Sequence, residues 1–267
     1  MTQGLSVHIG LNRVDPLRYG GWDGKLRGCL NDQREMERLA TSIGYTVCAR
    51  LSDAEATASA VLDAVVGAVS QLQAGDTLLV TYSGHGGQIP DVSSDESDDR
   101  FDETWVLYDR MLVDDELRAV WCAAPKGSRI LVISDSCHSG TVSRDGAPRS
   151  IPRENALINY DANRESYVAL RKAATRAGDP EARVALLSGC QDNQVSYDGA
   201  RHGAFTEALL AVWSDGAFTG QLGDLRKKIV GVLERKQPLG QRQKPNLYVY
   251  GGPDDAFDQG SALRLPS

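Results

Sequence analysis

Two short stretches of the sequence hold residue types that do chemistry, YSGHGG (Tyr82–Gly87) and DSCHSG (Asp135–Gly140). In each, an apolar run gives way to a glycine-bearing turn. The first turn carries His85; the second carries Cys137 next to His138. A thiolate is a strong nucleophile, but an ordinary cysteine is mostly thiol at neutral pH. An imidazole beside it takes the proton. Both groups must come from rigid elements and face one cleft. Cys137 as nucleophile and His85 as general base meet that requirement when the two apolar runs are neighbouring strands. The backbone N–H groups of Cys137 and Gly86 then stand where a developing oxyanion can be held. Taken singly, Cys137 reads as a core cysteine and His85 as a loop histidine; the paired placement gives them a reaction.

The elements that must position this pair are legible from periodicity. TLLVTY (77–82) and RILVIS (129–134) are short, apolar or β-branched runs of the kind buried on both faces of a parallel sheet. SVHIGLN, YTVCARL, RVALLSGC and NLYVYG read as further strands. LNDQREMERLATSIG spaces Met36, Leu39, Ala40 and Ile43 as one helix face, with Asn31 or Asp32 as N-cap and Gly44 as stop. Further helices are expected over Thr57–Gln73, Ala204–Trp213 and Leu222–Arg235. The alternation predicts an α/β fold of right-handed βαβ units with helices on both faces. Sites in such sheets lie beyond the carboxyl ends of the strands. From Thr141 to about Pro180 the chain is rich in Arg, Pro, Asn and Ser with weak periodicity. It reads mainly as an inserted loop, with Arg164–Ala177 able to carry a helix.

The 267 residues are 41% apolar and 24% charged, ordinary for a soluble globular protein. No apolar stretch approaches the ~18 residues of a membrane span, and MTQGLSVHIGLN lacks the pattern of a signal peptide. A net charge of −7 without a basic stripe argues against nucleic acid as a partner. Cys29, Cys48, Cys122, Cys137 and Cys190 are odd in number and form no CxxC pair, so neither a disulfide framework nor a zinc ribbon is expected. A reducing, cytoplasmic setting fits. The histidines at 8, 85, 138 and 202 lack ligand spacing, which argues against a metal-dependent hydrolase.

Five ordered blocks carry a resemblance: LRGCLNDQREM, SGHGGQ, DDEL, DSCHSGT and SGCQDNQVS. His85 precedes Cys137 by 52 residues, close to the separation of about 50 in caspases. The chain resembles the caspase-like cysteine peptidases of family C14, in their metacaspase and orthocaspase branch. The resemblance implies a caspase–hemoglobinase fold, a mostly parallel central sheet of about six strands. It also implies one peptidase domain over 1–267, with a p20-like part at 1–140, the Arg-rich inserted loop at 141–180 and a p10-like part at 181–267. Cys137 and His85 are the implied dyad; His138, on the opposite side of the backbone, has no proton-transfer role. Asp135 stands where animal caspases have Gln, and a carboxylate there favours a cation, best a bidentate guanidinium. By resemblance Asp32 completes this S1 pocket, with Cys29 and Ser83 on its walls and Asp192 a further carboxylate at its rim. Asp32 also reads as a helix N-cap, and Asp135 as the cap of a helix following Cys137.

Asp91–Glu103 holds seven carboxylates in thirteen residues, which reads as a solvated loop and does not fit EF-hand spacing. The resemblance implies Ca2+ as an activator, bound by Asp114 and Asp115 with Asp98 or Asp99. Beyond Cys137 the nearest further ligand is Asp145, because Arg144 takes the expected slot. Asp114 reads equally as the N-cap of DDELRAVWCA. The chemistry itself requires no cofactor. Self-cleavage candidates in the inserted loop are Arg144, Arg149, Arg153, Arg164, Arg171, Lys172 and Arg176; a basic loop that covers the cleft or solvates itself is the other reading. The expectation is a monomeric cysteine endopeptidase acting on proteins or peptides with Arg, then Lys, at P1. With the first strand so near the N-terminus, activation is expected from a ligand, self-cleavage or a separate protein. The alternative is a non-catalytic or partner-activated caspase-fold interaction module in a stress, cell-death or defence system.

Overall fold

The structure, a computed structural model, describes residues 2–90, 101–137, 147–174, 178–190, 197–237 and 243–265. The first half of the chain runs β1 (Gly4–Gly10), α1 (Cys29–Ser42), β2 (Tyr45–Ser52), α2 (Ala58–Val69), β3 (Thr77–Ser83), β4 (Gly86–Pro90), β5 (Phe101–Val106), β6 (Met111–Val113), α3 (Asp114–Cys122) and β7 (Arg129–Asp135). The second runs β8 (Ala147–Pro148), α4 (Arg153–Ala162), α5 (Arg164–Ala174), β9 (Arg183–Ser188), β10 (Tyr197–Asp198), α6 (Ala204–Trp213), α7 (Leu222–Lys236), β11 (Asn246–Gly251) and α8 (Asp255–Asp258).

Six strands form the central sheet in the order β11-β9-β7-β3-β1-β2. All neighbours are parallel except β11, which runs antiparallel to β9 at one edge. The two-residue period of the strands divides the core. Leu78, Val80, Ile130 and Val132 pack with Val61 and Val65 of α2 and with Leu117 and Trp121 of α3. Leu79, Leu131 and Ile133 face the other way, onto Met36 and Leu39 of α1, Phe205 and Leu209 of α6 and Ile229 of α7. The expected α/β architecture with helices on both faces is therefore present. Among the described residues no helix is long and apolar enough to cross a membrane.

The structure corrects several boundaries. α1 begins at Cys29 with Gly28 as its N-cap, so neither Asn31 nor Asp32 caps it, and Asp32 is buried in its first turn. The N-cap of α3 is Val113, whose N–H donates to Glu116; Asp114 is the first helical residue instead of the cap. Two small antiparallel sheets, β4-β5-β6 and β8-β10, are too short to show a period in sequence. The inserted loop holds two helices. α5 starts at Arg164 as allowed, but α4 was not expected, for a physical reason. Its buried face consists of Ala156, Asn159 and Tyr160. The asparagine at this core position is satisfied by backbone: its amide donates to Arg18 O and Asp109 O and accepts from Met111 N. Polar residues on an inward face weaken the apolar period that marks a helix.

Candidate active site

Register brings the two chemical turns together. β3 and β7 pair in parallel with Ser83 opposite Asp135, so His85 and Cys137 each lie two residues past neighbouring strand ends. His85 is held from three sides. The hydroxyl of Tyr82 and the N–H of Val106 donate to its carbonyl at 2.6 and 2.9 Å, and Trp22 lies edge-on to its ring at 4.7 Å. Nε2 stands 2.9 Å from Gly24 O, an acceptor only, so Nε2 carries the proton. Nδ1, buried and without a hydrogen bond of good geometry among the described residues, is left to accept. Burial lowers the pKa of His85 to about 4 and keeps the imidazole neutral. Cys137 is fully buried. The thiol of Cys190, also hydrogen-bonded to Ser136 O at 3.3 Å, forms a hydrogen bond with it; that bond and burial push the Cys190 thiol pKa well up. Cys190 therefore stays protonated, with one proton to offer to either Ser136 O or Cys137 sulfur.

Arg149 occupies the place between them. The N–H groups of Gly86 and Cys137 both donate to its carbonyl oxygen, at 2.9 and 3.0 Å. This convergence needs glycine at 86, where a methyl group would stand 2.4 Å from Cys137 O. The Arg149 side chain is fully buried. Its Nη2 donates to Asp32 Oδ2 at 2.8 Å and Asp198 Oδ1 at 3.0 Å. Its Nη1 donates to Ser83 Oγ at 2.7 Å and lies 3.2 Å from Asp135 Oδ2. Each carboxylate is held in turn. Asp135 accepts from Thr206 N and Oγ1 at 3.0 and 2.7 Å, Asp32 from Ser83 Oγ at 2.8 Å and Gly203 N at 3.1 Å, and Asp198 from Arg27 N and Gly28 N at 2.7 and 3.1 Å.

Gly28 and Gly203 are the N-caps of α1 and α6, so two positive helix ends meet this acidic pocket. Against burial, Arg149, His202 and Ser83 hold the Asp32 pKa below the usual carboxylate range; burial pushes Asp135 up, opposed by Arg149. His202 Nδ1, 3.0 Å from Asp32, has its pKa raised by that hydrogen bond. The chain on both sides of Arg149 is extended. Ala147–Pro148 pair antiparallel with Tyr197–Asp198, Ser150 bridges to Gly86 in parallel, and Ile151 N donates to Gly86 O at 2.9 Å.

Of the residues expected from sequence, Cys137, His85, Gly86, Asp135, Asp32 and Ser83 are brought to one cleft. Cys29 lies beside Ser83, its thiol pKa pushed up by burial. The Asp135 carboxylate accepts from the N-terminus of α6, a different helix from the one expected after Cys137. His138, Asp192, Asp98, Asp99, Asp145, Arg144 and Arg176 lie outside the described residues. Arg153 and Arg164 are exposed first residues of α4 and α5, and Arg171 and Lys172 lie within α5. Asp114 and Asp115 sit in the first turn of α3, where Asp115 N donates to Asp114 Oδ1 at 3.0 Å. Among the described residues no group of three or more His, Cys, Asp or Glu could hold a metal ion. Ca2+ takes about 6–8 oxygens, so these residues do not make a calcium site by themselves. Asp198, His202, Gly203, Thr206, Gly24 and Trp22 were missed. Asp198 lies just beyond the SGCQDNQVS block, but nothing local announces that it turns towards Arg149.

The family model of the caspase domain, peptidase family C14, matches residues 13–252, and the chain belongs to that family. It is 35% identical to Metacaspase-4 of Arabidopsis thaliana over 51% of its own length, spanning 33% of that protein. A crystal structure of a protein from Geobacter sulfurreducens matches with a TM-score of 0.87 at 42% identity, over 99% of this chain and 100% of that one. Caspase-1 from Spodoptera frugiperda shares the fold, with a TM-score of 0.60 at 13% identity over 94% of this chain and 86% of that one.

Proposed function

We propose that this protein is a cysteine endopeptidase that cuts after arginine with Cys137 and His85 as its dyad, and that the Arg149–Ser150 bond is its first substrate. The observation that carries the reading is the pose of Arg149: guanidinium among three carboxylates, carbonyl oxygen between two N–H donors, flanks extended. In the reaction His85 Nδ1 takes the thiol proton and Cys137 sulfur attacks the Arg149 carbonyl carbon. The oxyanion forms between the N–H groups of Gly86 and Cys137. Collapse breaks the C–N bond, and the proton passes from His85 to the departing amine of Ser150. Water then hydrolyses the thioester and leaves a carboxylate on Arg149.

The same pocket defines substrates. A planar guanidinium reaches several carboxylates at once, a lysine ammonium fewer, and an aspartate at P1 is repelled. The intact chain is latent towards other substrates because its own Arg149 fills S1. A cut there divides the peptidase domain within the inserted segment, into 1–149 with the dyad and 150–267. Ca2+ belongs to this reading as an activator, with Asp114 and Asp115 the described part of its ligand set, and no chemical step uses it.

The test combines a peptide library with varied P1 and mass spectrometry of the protein itself, in EGTA and in millimolar Ca2+. The expected outcome is cleavage after Arg ahead of Lys, fragments ending at Arg149 and starting at Ser150, and loss of both in Cys137→Ala and His85→Ala. Efficient cleavage after Asp would overturn the pocket assignment. The same fragments in Cys137→Ala would overturn self-cleavage, and full activity in EGTA would remove calcium.

A further inference from the structure

Gly28 and Gly203 are glycines for which the backbone gives no reason. Their φ angles, −89° and −64°, suit any residue, so the cause must be space. A methyl group on Gly203 would stand 2.5 Å from both Cζ and Nη1 of Arg149, and 2.3 Å from Asp135 Oδ2. One on Gly28 would stand 2.9 Å from both Asp198 Oδ1 and the backbone carbonyl carbon of His202, and 3.1 Å from Arg149 Nη2. The bare backbone thus lies directly against the guanidinium, and that approach lets Gly203 N donate to Asp32 while Thr206 N, three residues on, donates to Asp135.

We propose that Gly203 is the residue that makes S1 selective for arginine over lysine, by leaving a gap that a guanidinium fills and a methyl group would close. The inference rests on the S1 reading above and goes beyond its carboxylates. Charge alone attracts either cation. The forked end of arginine, however, must keep Cζ and Nη1 against Gly203 while both Nη groups hold their acceptors. A lysine ammonium sits at about the level of Cζ, carries nothing beyond it, and can back away from an added methyl. Gly203→Ala presses on Asp135 Oδ2 whichever cation is bound, but only the guanidinium also meets the methyl with Cζ and Nη1, so it is penalised more than the ammonium.

The experiment starts from full-length protein with Cys137→Ala and Arg149→Ala, which removes turnover and the resident side chain. Calorimetric titration with agmatine and with n-pentylamine, in this background and with Gly203→Ala added, reads the pocket directly. Overpacking of this kind weakens agmatine roughly ten- to a hundredfold, with a smaller change for pentylamine. In the active protein, self-cleavage at Arg149 should slow more than self-cleavage of the Arg149→Lys chain when each also carries Gly203→Ala. Gly67→Ala, where an added methyl meets nothing within 4 Å, is the control and should leave every value unchanged. If Gly203→Ala does not fold, Gly28→Ala carries the same test with a milder loss. Equal weakening of both cations, or none, overturns the role of Gly203. Failure of the parent to bind either cation overturns the S1 reading itself.

Discussion

Around Arg149 each carboxylate has its own part in holding the guanidinium. Asp135 and Asp32 hold one Nη group each, and Asp198 shares Nη2 with Asp32. Asp135→Asn should lower kcat/KM for Arg peptides by roughly 30- to 1000-fold, because removing a buried charge partner costs about 2–4 kcal/mol. Asp198→Asn should cost less, about tenfold, since its amide oxygen in the Oδ1 position still accepts from Nη2 and from Gly28 N, and the bond given up is the one from Arg27 N to Oδ2. Steady-state kinetics on one Arg peptide checks both; a larger loss at Asp198 would reverse the ranking. Asp135 was legible because it neighbours the nucleophile. Asp192 is legible from its place in a recognisable block, whereas Asp198 reaches the pocket through the pairing of β10 with β8, which no short window of sequence contains.

At the level of elements, the N-termini of α1 and α6 do the positioning. α1 aims Gly28 N at Asp198, α6 aims Gly203 N at Asp32 and Thr206 N at Asp135, and Thr206 adds its hydroxyl to Asp135 at 2.7 Å. That bond favours the charged carboxylate while burial pushes its pKa up. Thr206→Val removes the hydroxyl and leaves only Arg149 and the Thr206 N–H against burial, so the Asp135 pKa rises further. The guanidinium needs the ionised form, so the acid limb of the kcat/KM profile on an Arg peptide should move to higher pH, with the alkaline limb unmoved. No displacement, or one towards lower pH, would mean that Asp135 is not the group titrating there. The strands behind the site were readable within a residue or two, because TLLVTY and RILVIS are buried on both faces. α6 and β11 were readable too. α4 was not, since Asn159 takes an inward position, and neither were the two small sheets, whose strands pair through contacts that no short window contains.

For the molecule as a whole, buried histidines set a pH dependence of stability. His8 on β1 is enclosed, with Nδ1 2.8 Å from Thr81 Oγ1 and Nε2 3.0 Å from Ser6 Oγ, and burial lowers its pKa from 6.5 to about 4. Between these values the unfolded chain takes up a proton that the folded chain refuses, so stability falls as pH drops through the window. His85 adds to this slope, and His202, whose pKa is raised, opposes it. His8→Gln should flatten the decline by roughly 2 kcal/mol between pH 7 and pH 5, measured by urea unfolding. An unchanged slope would show that His8 does not carry it.

The position of the Arg149–Ser150 bond has a consequence for time. β1, β2, β3 and β7 lie before it and β9 and β11 after it, so a cut there shares one sheet between two polypeptides, joined along β7 and β9 and by packing such as Leu131 and Ile133 with Ala185, Leu187 and Phe205. An intact chain that unfolds can refold by itself. A nicked one must first meet its other half, a second-order encounter whose rate falls with dilution. Its melting temperature becomes concentration-dependent, and in a dilute solution each unfolding event is close to final. Cleavage would thus start a clock on the molecule it releases from latency.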